Sequence, residues 1–212
     1  MNIRRWGILL VIYAVFFFWY TPFAGPLSDD EIDGYLTALR AAGADAQRLE
    51  VWRRFMESDT GDDFAMLNAI ELRDVPLPVA GVEPGTSSSD VLARYTEPFL
   101  GSALLSAAHP VMFGAAAAPA MDIWGIQGAD QWTNGALVRY RSRRDLMEQA
   151  VYASGLAIHE FKVAAMHKTI AYPLDPWWHL GDPRLLLALV LIIVGLVPRL
   201  LGAGSREMKP KA

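Results

Sequence analysis

Hydrophobic and polar positions divide the chain into two uncharged ends and a patterned middle. Residues 6–28 carry no charged side chain, with WGILLVIYAVFFFWYTPF at their centre, and LLLALVLIIVGLV (185–197) is a second apolar run. A bilayer core of ~30 Å needs about 20 apolar residues in a helix, within a range of roughly 17–25. The first run meets this. The second, taken as 185–201, reaches the lower limit if Arg199 snorkels to the interface. Two membrane spans are therefore expected. The aromatic run Phe16, Phe17, Phe18, Trp19, Tyr20 suits an anchor meeting the interface, and the segment around Ala24 is a poor signal-peptide cleavage site.

The middle alternates between the two periods that distinguish helix from strand. Ser28 and Glu31 make a capping box, and Ile32, Tyr35, Leu36 and Leu39 follow at helical spacing. A second helix is expected over 46–57, with Leu49, Trp52, Phe55 and Met56 on its apolar side. The acidic start of the pair favours covering the next domain over lying on a membrane. Residues 64–73 then read as a strand with Phe64, Met66, Ile70 and Leu72 on one face. Ala65, Leu67 and Ala69 make the other face apolar too, the mark of a central strand covered on both sides.

A Pro- and Gly-rich loop (75–89) precedes a serine-capped helix over 90–108, which Pro98 should kink or delay. Residues 110–118 read as a strand of small residues packed tightly against a neighbour, followed by a turn. Residues 136–141 alternate Leu137, Arg139 and Arg141 with Val138 and Tyr140. Ser142 and Asp145 form a second capping box, and Met147, Val151, Ser154, Ile158, Phe161 and Ala165 give a core stripe that Gly155 should break or bend. Residues 168–174 return as the last strand, and Trp177 and Trp178 suit an interfacial belt before the second span.

From residue 64 the order is strand, helix, strand, strand, helix, strand. The expected fold class is α+β: a ferredoxin-like βαββαβ domain preceded by two helices and flanked by N- and C-terminal transmembrane helices. Its divisions are 1–27 (first span), 28–63 (helical extension), 64–176 (ferredoxin-like domain), 177–203 (second span) and 204–212 (tail). A sheet of this kind has its helices on one face, so the other face needs a partner: a second copy, a larger membrane complex, or the N-terminal helices.

Met66-Leu67-Asn68, the junction LVRYRSRRDLME (137–148), a His-containing helix and KTIAYP (168–173) resemble the small dimeric α/β-barrel proteins of the DUF1330 type. The resemblance covers roughly residues 64–173. Departures are Arg141 where proline is common, the long small-residue strand, and the two spans. It implies a ferredoxin-like fold paired face to face into a barrel, with no generally agreed reaction. More distant relatives include cofactor-free monooxygenases and haem-binding enzymes, so the fold does not select a function.

Charge sharpens the topology. Arg4 and Arg5 precede the first span, and Arg199, Arg206, Lys209 and Lys211 lie at or beyond the end of the second, so both termini are expected in the cytoplasm. In a Gram-negative cell this puts the chain in the inner membrane with its central domain in the periplasm. Of 19 Lys+Arg, two precede residue 24 and five follow residue 182, whereas of 23 Asp+Glu only Glu207 lies outside that region. Twelve cations against 22 acids argue against nucleic acid and against anionic lipid surfaces. With zero cysteines, thiol catalysis, disulfides and thiolate metal sites are excluded.

Candidate chemistry is sparse. Asn68, Trp124, Trp132 and Tyr140 are candidates to line a cavity on the open sheet face, as a cofactor-free oxygenase or a binder of apolar or aromatic compounds would need. The same residues would serve equally in a packed dimer interface. His159 is a weak haem candidate; His159-Glu160 lacks the second histidine of a zinc motif because Val163 stands there, and no metal or other cofactor is implied. His109 precedes Pro110 at a helix end, where interaction with the helix dipole suffices to explain it, and His179 is expected at the membrane surface. Arg139, Arg141, Arg143 and Arg144 are read as surface pairs balancing an acidic domain rather than an anion site. The function expected is that of an accessory or assembly subunit of a membrane complex, leaning against catalysis. The alternative is a small-molecule binder or oxygenase-like enzyme.

Overall fold

A computed structural model of the chain describes residues 3–176 and 181–207, with side chains described up to residue 197. In chain order the elements are α1 (Ile3–Tyr20), α2 (Asp29–Ala41), α3 (Ala46–Glu57), β1 (Phe64–Leu72), α4 (Ser88–Leu105), β2 (His109–Ala115), β3 (Asn134–Tyr140), α5 (Arg143–Gly155), α6 (His159–Ala165), β4 (Met166–Leu174) and α7 (Pro183–Glu207). They form two compact units: the domain Pro22–Pro176, and the two terminal segments together. Trp177, Trp178 and His179 lie outside the described residues, as do Lys209 and Lys211.

In the terminal unit, α1 and α7 lie antiparallel. At one end Arg5 donates to the Val194 carbonyl and the Trp6 ring occupies the space where Gly195 has no Cβ. At the other, the Arg184 guanidinium sits 5.4 Å from the Tyr20 ring centroid. α1 ends at Tyr20 although the uncharged run continues to Ser28, because Pro22 disfavours helix at the residue before it. Its 18 residues span about 27 Å and it is long and apolar enough to cross a membrane. The apolar part of α7, Pro183–Val197, is shorter, although the helix itself continues to Glu207, into the segment expected as tail.

In the domain, the Ser28 hydroxyl accepts from the Glu31 amide, and the Glu31 carboxylate accepts the Ser28 amide at 2.9 Å, completing the capping box. Asp45 caps α3 in the same way, accepting from the Arg48 amide at 2.8 Å. Leu27, Ile32, Leu36, Leu39, Leu49 and Met56 form one core with Met147 of α5, so the two N-terminal helices cover the domain. A second core joins Phe64 and Tyr140 of the sheet to Ala103, Ala108 and Leu146, with Trp52 and Phe55 packed against it.

The sheet order is β2-β3-β1-β4, all neighbours antiparallel. β1 is central. Phe64 faces Tyr140, Met66 faces Val138 and Asn68 faces Ala136, and this is the side that the helices cover. The opposite side carries Ala65, Leu67 and Ala69, so the apolar residues on that side of β1 do not lie under the helical layer. β2 is likewise not tightly packed: it is an edge strand with Met112 and Phe113 exposed, and its small residues do not mark a buried neighbour.

Pro98 lies inside α4, whose N-cap is Ser87, and the helix continues beyond it to Leu105. The expected break in the second helix is present. α5 ends at Gly155, Ala157 takes a positive φ of 54°, and α6 begins at His159. Its stripe still points inward, from fully buried Met147 to fully buried Ala165.

Beside this apolar packing, Arg143 ties the N-terminal helices to the start of α5. This side chain is buried, its guanidinium 4.8 Å from the Phe55 ring, donating to the Phe55 carbonyl and to Ser58 Oγ, with Asp59 at 3.7 Å. Replacing Arg143 with Met should lower unfolding stability by about 3 kcal/mol, because it leaves buried acceptors without their cation. Urea unfolding at neutral pH measures this. Arg54→Met, which removes only an exposed i,i+4 pair with Glu50, should change it by less than about 0.5 kcal/mol.

Candidate functional site

Four arginines cluster where β3 passes into α5, and each is committed to a partner. Arg139, 4% exposed, donates to Asp63 at 2.8 and 3.2 Å and to the Ala107 carbonyl at 3.0 Å. Arg141 pairs with Asp145 at 2.5 and 3.0 Å, while Asp145 also meets the capping residue Ser142. Arg144 holds Glu31 at 2.6 and 3.0 Å and the carbonyls of Gly25 and Pro26 at 3.3 and 3.2 Å. The sequence expectation of surface pairs is corrected here. Both Arg139 and Arg143 are buried: Arg139 is held between Asp63 and the Ala107 carbonyl, and Arg143, in the first turn of α5, reaches inward against the end of α3.

The segment that leads into α2 is held in the same place. The Leu27 amide donates to Asp59 at 2.9 Å, and Gly61 lies so close to Gly25 and Pro26 that a Cβ there would stand 2.7 Å from the Gly25 carbonyl carbon. Gly61 also has a φ of +82°, so two independent requirements keep it glycine. Asp175, at the far end of the domain, lies 3.8 Å from Arg143. Both ends of the domain therefore converge on the Arg143–Arg144 pair.

The four cavity candidates are not brought together on the open face. Asn68 and Tyr140 are on the helix-covered side, two register steps apart. Tyr140 is stacked on Phe64 at 5.3 Å, and burial raises its phenol above the ordinary range. Asn68 donates to the Met66 carbonyl of its own strand at 3.1 Å. Trp124 is 85% exposed in the β2–β3 loop. Trp132 donates to the Ala129 carbonyl at 2.8 Å and lies under the Lys168 ammonium, 4.8 Å from the ring centroid; Lys168 in turn pairs with Glu71 at 2.6 Å. These contacts pin the loop to one end of the sheet.

Among the histidines, His109 meets the Pro110 carbonyl at 3.1 Å and His167 is exposed. His159 is half-buried, its ring 6.3 Å from Tyr95 and edge-on to it. Its pKa lies below the ordinary imidazole value through burial, then through the charges of Arg48 and Lys162. No group of three or more potential ligands suited to a metal ion occurs among the described residues. Sequence reasoning did not single out Tyr95, Arg48 or Lys162. The available signals were the i,i+4 pair Tyr95–Phe99 and the i,i+3 pair His159–Lys162.

Fold and junction together define an α+β domain with a four-stranded antiparallel sheet. Two crystal structures of the RPA0582 protein are similar in fold. In its methylated form it shares 20% identity, with a TM-score of 0.51 over 63% of this chain and 93% of that one. The second, described as a protein of unknown function from Rhodopseudomonas palustris, shares 18% identity, with a TM-score of 0.50 over 61% and 94%. No protein-family model matches the sequence. No curated protein matches it either.

The Arg144–Glu31 pair has a pH signature. Hydrogen bonding by Arg144, aided by the Ser28 amide, lowers the Glu31 pKa from 4.5 to about 2. A depressed carboxylate stabilises the fold fully above 4.5 and loses that contribution as pH falls toward 2. Thermal unfolding followed between these limits should show a steeper loss of stability in wild type than in Arg144→Met. Glu31 is partly exposed, so the difference should be modest and should shrink in salt.

Proposed function

We propose that this chain is a membrane-anchored module whose ferredoxin-like domain pairs through the open face of its sheet, serving as an accessory or assembly subunit. The carrying observation is a row of apolar side chains across all four strands. Register aligns Met112, Leu137, Leu67 and Tyr172 on the face away from the helices. Met112 is 63% and Tyr172 45% exposed, one on each edge strand, and Ile170 and Leu174 flank Tyr172 on β4. A sheet with one bare apolar face gains most by covering it, at ~25 cal/mol per Å².

Several features support the finer assignment. The order β2-β3-β1-β4 with helices between β1 and β2 and between β3 and β4 is the pattern of a split βαβ fold, and we assign the domain to that class. Closure of two such faces against each other gives the dimeric barrel that the DUF1330-type resemblance implies. A second copy is the favoured occupant because Gly114 and Gly135, paired beside the row, leave room for a close, self-complementary approach.

Membrane anchoring rests on the length and exposure of α1 and on the bare apolar surface of α7, from Leu185 to Val197. We assign both termini to the cytoplasm and the domain to the opposite side, the periplasm of a Gram-negative cell, from the basic flanks. A reporter active only in the cytoplasm should give signal when fused at either terminus and none when inserted in the loop between β2 and β3. Signal from the loop would reverse the topology.

The pairing reading is tested by mass in solution. The detergent-solubilised chain should sediment as a dimer, and Leu137→Asp with Tyr172→Asp should sediment as a monomer of unchanged circular dichroism. A wild-type monomer would overturn second-copy pairing. A visible absorption band in the purified protein that His159→Gln abolishes would favour the haem alternative instead.

A further inference from the structure

The loop between β2 and β3 leaves a group of large apolar side chains in water. Met121 is 97% and Trp124 85% exposed, with Ile123 and Ile126 exposed beside them. The loop is nevertheless built. The Ala116 amide donates to the Thr133 carbonyl at 2.8 Å and the Ala120 amide to the Asp130 carbonyl at 3.0 Å, so its two limbs stay paired beyond the end of the sheet. Gly125 and Gly128 take positive φ of 76° and 66°, which sets the turns at the tip. Trp132 holds the Ala129 carbonyl and Lys168 the Gly128 carbonyl, fixing the returning limb.

Register tells on which side of the sheet this loop stands. Leu67 faces Tyr172, Ala69 faces Ile170 and Glu71 faces Lys168, so Lys168 shares the open face with the apolar row. Because Lys168 reaches Gly128 from that face, the loop crosses the end of the sheet on its open side. Row and loop therefore form one continuous apolar surface, the row as floor and the loop as rim. Side chains of this size expose on the order of 200 Å² each when free, so Met112, Ile170, Tyr172 and Leu174 offer roughly 400 Å², half of the ~800 Å² per partner that a stable interface buries. Met121, Ile123, Trp124 and Ile126 add roughly 600 Å² and carry the surface past that requirement.

Charge narrows the occupant. From residue 110 to residue 138 the only charged side chains are Asp122 and Asp130, so no cation is present to meet a phosphate headgroup. The loop also stands about 20 Å along β4 from Asp175, where the chain leaves the domain. We propose that the β2–β3 loop is an arm that grips a second copy, with Met121, Ile123, Trp124 and Ile126 of each copy packed on the open face of the other. This rests on the pairing reading above and names the residues that hold the pair together. Two-fold pairing buries both arms at once, because the interface is isologous. Trp124 is the anchor, an aromatic side chain of the type that dominates such contacts.

The test measures the dimer dissociation constant of the full chain in detergent, by sedimentation over a dilution series. Met121→Ser with Trp124→Ser should raise it at least tenfold with circular dichroism unchanged, since both side chains stand in water in the single copy. Trp124→Phe keeps an aromatic anchor and should stay within about threefold of wild type. Val163→Ser, an exposed position on the helical layer, should leave the constant unmoved. A wild-type monomer overturns the pairing itself. A wild-type dimer whose dissociation constant the double substitution does not move overturns the arm and leaves the pairing standing. Should the double substitution fail to fold, Trp124→Ser alone decides in the same way. In phosphatidylcholine vesicles with brominated acyl chains, wild type and Trp124→Phe should be quenched to the same fraction. Extra quenching in wild type would place Trp124 in the bilayer and overturn the proposal.

Discussion

The Arg143–Arg144 pair is the contact on which the domain's assembly depends. Two cations in the first turn of a helix oppose its dipole, which favours negative charge there. The sequence offsets this with Asp145 in the same turn and with carboxylates brought from elsewhere: Glu31 from the start of α2 and Asp59 from the loop after α3. The position is therefore unfavourable for α5 alone and favourable only when the N-terminal helices are docked. Local propensity and tertiary structure are coupled at one spot, which makes docking of α2 and α3 a condition of the junction rather than an addition to it.

That dependence determines which surface of the sheet is left bare. The helices α4, α5 and α6 and the helical pair α2–α3 all collect on the Phe64 side, because Phe55 reaches Phe64 and Arg143 reaches the end of α3. Nothing in the domain's own sequence is left over to cover Leu67, Leu137 and Tyr172 except the β2–β3 loop. Lys168 and Trp132 fix that loop at the far end of β4. An apolar row with Met112 and Tyr172 exposed at its two edges is then a consequence of where the arginines sent the helices.

Much of this was legible in residues and some of it was not. The capping signals at Ser28, at Ser142 and at a serine of the 75–89 loop marked helix starts because they act within one turn, and Gly155 marked the break between α5 and α6 for the same reason. The strand order of types could be read along the chain from residue 64 onward. Partners could not. Arg139 and Arg143 looked like surface charges because sequence gives no distance between residue 143 and residues 55–59, and their burial is a tertiary fact. The small-residue strand β2 was read as buried because Gly and Ala permit close packing, but the same residues suit an edge that has nothing to pack against. The cavity candidates were not brought together for a related reason: alternation within a strand says neither how strands register nor which face the helices choose, and the register puts Asn68 and Tyr140 on the covered side.

Gly25, Pro26 and Asp175 converge on neighbouring arginines, so the beginning and the end of the domain meet at one corner of it. That corner is held by the Arg144–Glu31 and Arg143–Asp59 contacts at the start of α5. Register matters most on the other side of the sheet, since a shift of one residue in any strand would send its apolar row to the helix-covered face.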